Sequence, residues 1–191
     1  MEWAVPIQNL EIPKIVIGTP SLGSKLISPI SYVEGDAHFN TLNILLPMLP
    51  IKSYDTATGR LQISLQGVSA AKLNQFQEII INTVTANQRT WFPSDKSSDK
   101  EDVRYGFQPF VEHGCLHLYC PSSSAGISNE INTYSGKVWN KGVASPTLFV
   151  AGKPVRLVLK IQGLSYHQNP ITKIWTGKFR LQHRVVAILF S

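Results

Sequence analysis

At 191 residues and 21.2 kDa, with 43% apolar side chains, the chain is long enough to bury one sizeable core, and a single domain over 1–191 is the expectation. It carries 18 Lys and Arg against 12 Asp and Glu, a formal net charge of +6, and no apolar run of about 18 residues, which excludes a membrane-spanning helix. Two cysteines, Cys115 and Cys120, build neither a disulfide framework nor a four-cysteine zinc site, so stability has to come from packing.

The first eight residues hold an acid, a Trp and a Pro where a secretory leader needs a basic start and a long apolar run, so an intracellular protein is expected. Four β-type runs follow, at 14–19, 25–32, 39–46 and 61–66. Pro20, Gly23, Pro29, Gly35, Asp36, Pro47, Pro50 and the segment 55–59 interrupt them. Short strands with frequent turns predict a sandwich or a barrel. After Gly67 the pattern changes: Leu73, Phe76, Ile80 and Val84 recur at spacings of three and four, predicting an amphipathic helix of about five turns, capped by Ser69 and ending near Asn87. Ser98 to Glu101 offers a capping box for a shorter helix with Val103 and Phe107 inward, limited by Pro109. Strands return at 115–120, a Gly/Ser/Asn-rich loop covers 122–132, and two strong alternating strands close the chain at 155–163 and 177–190. The fold class expected is mainly β (α+β), with one long and one short helix.

The charge is unevenly distributed. Residues 131–191 contain nine of the 18 cations and none of the 12 acids. Such a stretch creates a field that attracts polyanions. Arg156, Lys160 and Gln162 alternate with Leu157, Leu159 and Ile161, and Lys178, Arg180, Gln182 and Arg184 alternate with Phe179, Leu181, His183 and Val185. Paired, the two strands would put their cations on one face. The link at 164–176 carries Tyr166, His167, Lys173 and Trp175. Single-strand binding needs cations for phosphates and exposed rings for unpaired bases. The candidate nucleic-acid-binding residues are therefore Lys153, Arg156, Lys160, Lys173, Lys178, Arg180 and Arg184 as cations and Trp139, Tyr166 and Trp175 as platforms, within a basic portion at 131–191.

His113, Cys115, His117 and Cys120 have the side chains of a zinc site, but on one extended run they cannot surround a tetrahedral ion, and no metal is expected there. The chain has no Gly-Lys-Thr phosphate loop, no Gly-x-Ser-x-Gly elbow, no His-Glu-x-x-His and no Gly-x-Gly-x-x-Gly after a strand. The basic portion also offers no acid to hold Mg²⁺ or act as a base, so binding rather than catalysis is expected.

Strands, a long helix ending in Asn87-Gln-Arg-Thr-Trp-Phe92, a short acidic helix with Phe107-Gln-Pro-Phe110, and a late Gly177-Lys-Phe-Arg-Leu-Gln-His183 follow in that order. Over roughly 60–190 this order resembles the small single-stranded-DNA-binding proteins of large eukaryotic DNA viruses and related elements. The resemblance implies an OB-like barrel of five or more strands and non-sequence-specific coating of single-stranded DNA in viral replication or recombination, in host cytoplasm or nucleus, without a cofactor. RNA is a second possible partner. The chain departs from better-known replication binders in stopping at Ser191 directly after an apolar strand rather than in an acidic tail, and that strand is a candidate for homo-oligomer formation by sheet-edge addition. The alternative is a structural or virion-associated β protein whose basic face meets packaged genome or other subunits.

Overall fold

A computed structural model describes residues 3–22, 25–93, 99–123, 126–128, 131–135, 138–141 and 145–191. In chain order its main elements are Leu26–Ser28 (β1), Leu42–Leu45 (β2), Leu49–Asp55 (β3), Arg60–Ser64 (β4), the helices Gly67–Trp91 (α1) and Lys100–Gly106 (α2), then Phe107–Gln108 (β5), Cys115–Tyr119 (β6), Asn132–Ser135 (β7), Pro154–Gln168 (β8) and Trp175–Phe190 (β9). One buried apolar cluster gathers side chains from Val5 to Phe190, so both helices and all the main strands except β7 contribute to the same core.

The spine is the β8–β9 hairpin, paired antiparallel from Val155 opposite Phe190 to Gln168 opposite Trp175. The alternation of the sequence produces it, but strand continues through most of the expected link, leaving only 169–174 as the turn. Strands of 15 and 16 residues have to coil to stay on one core, and three breaks in register, at Val158/Leu159, Ile161/Gly163 and Tyr166/Gln168, supply the extra twist. The break beside Gln162 also reverses the phase of β8. Leu157, Leu159 and Ile161 face inward before it, Leu164 and Tyr166 after it.

The outer edge of β8 receives three short strands in succession: β3 at Pro154 and Val155, β2 from Val158 to Ile161, and β1 from Leu164 to Tyr166. Gly163 makes the last approach possible, because a Cβ there would lie 2.5 Å from the Ser28 carbonyl oxygen. The other edge of β9 takes β5 in parallel at Phe179 and Arg180 and β7 in parallel from Ala187 to Phe190. The apolar end of the chain therefore has both edges occupied, and the expected sheet-edge addition through it is not available. β4 joins β3 to β6, so the path β6–β4–β3–β8–β9 curls back on itself. A His183 ring nitrogen, Nε2, comes within 3.3 Å of the His117 carbonyl, but no ladder joins β6 to β9 and the barrel is not closed among the described residues. The fold is mainly β with two helices.

Helix α1 buries Leu73, Phe76, Ile80 and Val84 as its periodicity predicts, and Ile81 with them. It continues to Trp91, about one turn past the expected end near Asn87; Thr85 and Asn87 satisfy their side chains on the Ile81 and Thr83 carbonyls within the helix, and Gln88 is buried in the added turn. Ser69 does not cap it; the cap position is Gln66, and Ser69 is buried in the first turn. Gln77 ties the helix to the sheet, its Oε1 accepting from the Phe110 and Val111 amides at 2.9 Å each and its Nε2 donating to the Val111 carbonyl at 3.0 Å. Ser98 lies outside the described residues, and α2 is capped instead by Asp99, which accepts from the Asp102 amide at 2.9 Å. A bidentate Arg104–Glu78 pair at 2.6 and 2.9 Å fixes α2 on α1. Val103 points inward as expected, whereas Phe107 is buried as the first residue of β5 rather than on the helix. Among the described residues no helix is long and apolar enough to cross a membrane.

Candidate functional site

A groove of about 840 Å³ opens where α2, β5 and β1 meet the turn end of the hairpin. The local sequence sets its geometry. Tyr166 pairs with Phe179 and Ser165 with Arg180, so the ladder sends the two rings into the core and Arg180 outward. β5 widens this platform by placing Phe107 beside Phe179 and Gln108 beside Arg180. The end of α2 then lies backbone to backbone on β9. A Cβ on Gly106 would collide with the Gly177 carbonyl oxygen, so only glycine lets the helix sit close enough to bring Tyr105 to the rim.

The lining carries four cations, Lys25, Lys173, Lys178 and Arg180, and no Asp or Glu. All four are exposed, and among the described residues none of them makes an ion pair. Tyr105 is 94% exposed, the largest exposure of any aromatic ring described. His167 also lines the groove; its Nδ1 lies 3.0 Å from the Thr176 hydroxyl, which in turn donates to the His167 carbonyl. Gathering like charges without a counter-charge is unfavourable by itself and becomes favourable when a polyanion enters.

Of the cations read from the sequence, Lys173, Lys178 and Arg180 come together in this groove. Lys160 and Arg184 face each other across the ladder farther along the outer face of the hairpin, and Arg156 stands opposite Leu189. Arg156 and the exposed Lys153 are therefore roughly 30 Å from Arg180 along the strands, too far to line the same groove.

The stacking platforms need correcting. Tyr166 and Trp175 are 4% and 8% exposed and belong to an aromatic cluster beneath the groove. Trp175 lies 4.5 Å from Phe92 by ring centroids, and Tyr166 stacks on Phe179 at 5.7 Å and 17°. Their polar groups are used internally: the Trp175 indole donates to the Lys178 carbonyl at 2.9 Å, and the Tyr166 hydroxyl meets Ser28 Oγ at 3.0 Å. Burial pushes the Tyr166 phenol well above its ordinary pKa. The phase reversal at Gln162 is what turned Tyr166 inward. The Trp139 side chain lies outside the described residues; its backbone pairs with Tyr134.

Sequence reasoning missed Tyr105, Lys25 and His167. Tyr105 left a signal, because with Val103 inward a residue two places on falls on the opposite side of a helix. Lys25 left none, since only the return of β1 to β8 brings it here.

In the His113–Cys120 segment, His113 has a φ of 51° and turns the chain with Gly114 into β6, where Cys115 is buried and His117 half-buried. Burial pushes the Cys120 thiol up to about 12. Among the described residues no three or more His, Cys, Asp or Glu gather in a metal-holding group. No protein-family model, curated protein or solved structure matches this chain.

Proposed function

We propose that the protein binds single-stranded nucleic acid, DNA in the first place, without reading its sequence. The observation that carries this is the groove with four cations, no acid and an outward-facing Tyr105 at its rim. Lys25, Lys173, Lys178 and Arg180 would neutralise phosphates, and the Tyr105 ring would stack an unpaired base, a contact worth about 1–3 kcal/mol. In a duplex both faces of each base are already covered, so the ring favours single strands. The curled path β6–β4–β3–β8–β9, with His183 reaching toward β6, supports describing the sheet as a partly open OB-like barrel. Coating of strands exposed in replication or recombination, as in viral genomes, fits this chemistry.

The test is fluorescence anisotropy with labelled single- and double-stranded oligonucleotides of equal length, titrated at several salt concentrations. Strand-selective binding that weakens steeply with salt is expected. Weak or strand-indifferent binding would instead favour a basic surface that meets packaged genome.

A further inference from the structure

The turn that joins β8 to β9 forms one rim of the groove, with Pro170 and Lys173 among its lining residues. Between them Ile171 is 89% exposed, and Ile174 is 42% exposed. An isolated surface isoleucine needs no explanation, but this one is held out on a scaffold. The Asn169 carboxamide oxygen accepts from the Ile171 and Thr172 amides at 2.9 and 3.0 Å. The Asn169 amide donates to the Ile174 carbonyl at 2.8 Å, the Lys173 amide to the Asn169 carbonyl at 2.9 Å, and Gln168 Nε2 to the Lys173 carbonyl at 2.8 Å. Lys173, at a φ of 61°, adopts the left-handed conformation that this closure requires. Five hydrogen bonds thus fix six residues that hold an apolar side chain, Ile171, out in water beside cations suited to phosphates.

We infer that Ile171 is a wedge that inserts between neighbouring bases of the strand held in the groove. The inference rests on the nucleic-acid reading of that groove and adds an apolar part that touches base faces, carried on the turn that supplies Pro170 and Lys173 to the lining. Branched aliphatic side chains serve this purpose in proteins that unstack base steps, because the apolar group replaces the stacking it interrupts. A tip already ordered loses little conformational freedom on insertion. Lys173 and Lys178 hold the flanking phosphates while the bases part.

The test uses the full chain and a single-stranded adenine oligonucleotide with two adjacent 2-aminopurines, whose fluorescence rises when they unstack. Wild-type protein is expected to raise it. Ile171→Ser should abolish the rise and weaken binding about tenfold, within the range of losing one base contact, with an unchanged salt slope. Ile171→Leu should restore both. Because the side chain is exposed, thermal melts of the variants should coincide with wild type. Binding by Ile171→Ser with wild-type affinity and an undiminished rise would overturn the wedge while leaving the groove as the site. Absence of binding by wild type would overturn both, and loss of affinity in Lys178→Ala with Ile171→Ser unaffected would show that the groove reading alone survives.

Discussion

Tyr105, exposed in the groove lining, and Trp175, buried against Phe92 and Phe179, should respond to truncation in opposite ways. Trp175→Ala removes a buried indole from between Phe92 and Phe179 and leaves the Lys178 carbonyl without its donor, so a loss of about 3–5 kcal/mol in urea unfolding is expected. Tyr105→Ala removes a ring that touches water, so stability should change by less than about 0.5 kcal/mol while single-strand affinity falls by about 1–3 kcal/mol. Equal stability losses in the two variants would contradict this assignment. His183 makes a different kind of prediction. Burial, reinforced by Arg180, holds its pKa below the ordinary 6.5, although the Leu181 and His117 carbonyls oppose the shift. The unfolded chain takes up this proton first as pH falls, so stability is full above pH 6.5 and declines as pH drops from there through the lower folded value. Melting temperatures between about pH 7.5 and pH 5 should show that decline, and His183→Gln should flatten it.

Between elements, the tightest constraint is the contact of α2 with the start of β9. Gly106→Ala would force its methyl against the Gly177 carbonyl, where backbone rather than a flexible side chain has to move. A destabilisation of about 1–3 kcal/mol is expected by chemical denaturation, together with weaker strand binding, because the shift carries Tyr105 away from the groove. Wild-type stability in this variant would mean that α2 does not sit so closely. The same elements show how far the sequence can be read. Alternation disclosed β8 and β9 and their shared cationic face, and the 3.6-residue spacing disclosed α1 and its buried stripe. Tyr166 reads as part of a link between the strands, whereas β8 runs on through it, and the bulge at Gln162 and Gly163 exchanges inward and outward so that its ring is buried. Pro50 reads as a breaker, yet it sits in β3 opposite Pro154, a pairing that asks nothing of either missing amide. Lys25 and Tyr105 became neighbours of Arg180 only through long-range pairing, which no local pattern records.

Over the whole molecule, charge segregation along the chain becomes segregation in space only in part. The acid-free stretch 131–191 supplies three of the four groove cations, but Lys25 comes from the N-terminal portion, and Arg156 and Lys153 project from the far end of the hairpin. The long-range field and the proposed binding groove are thus separable. Steering toward a polyanion depends on the whole charge distribution, whereas the salt dependence of the equilibrium counts only cations that meet phosphates. For single strands each such contact contributes about 0.7 to the slope of log affinity against log salt. Replacing Lys178 and Arg180 together by Ala should therefore reduce the slope by about 1.4 and weaken binding to all sequences alike. Replacing Arg156 and Lys153, which removes the same net charge, should leave the slope nearly unchanged and lower only the association rate. Equal effects from the two double variants, measured by anisotropy and stopped-flow over the same salt range, would show that the protein holds its partner by overall charge and that the groove has no special part in it.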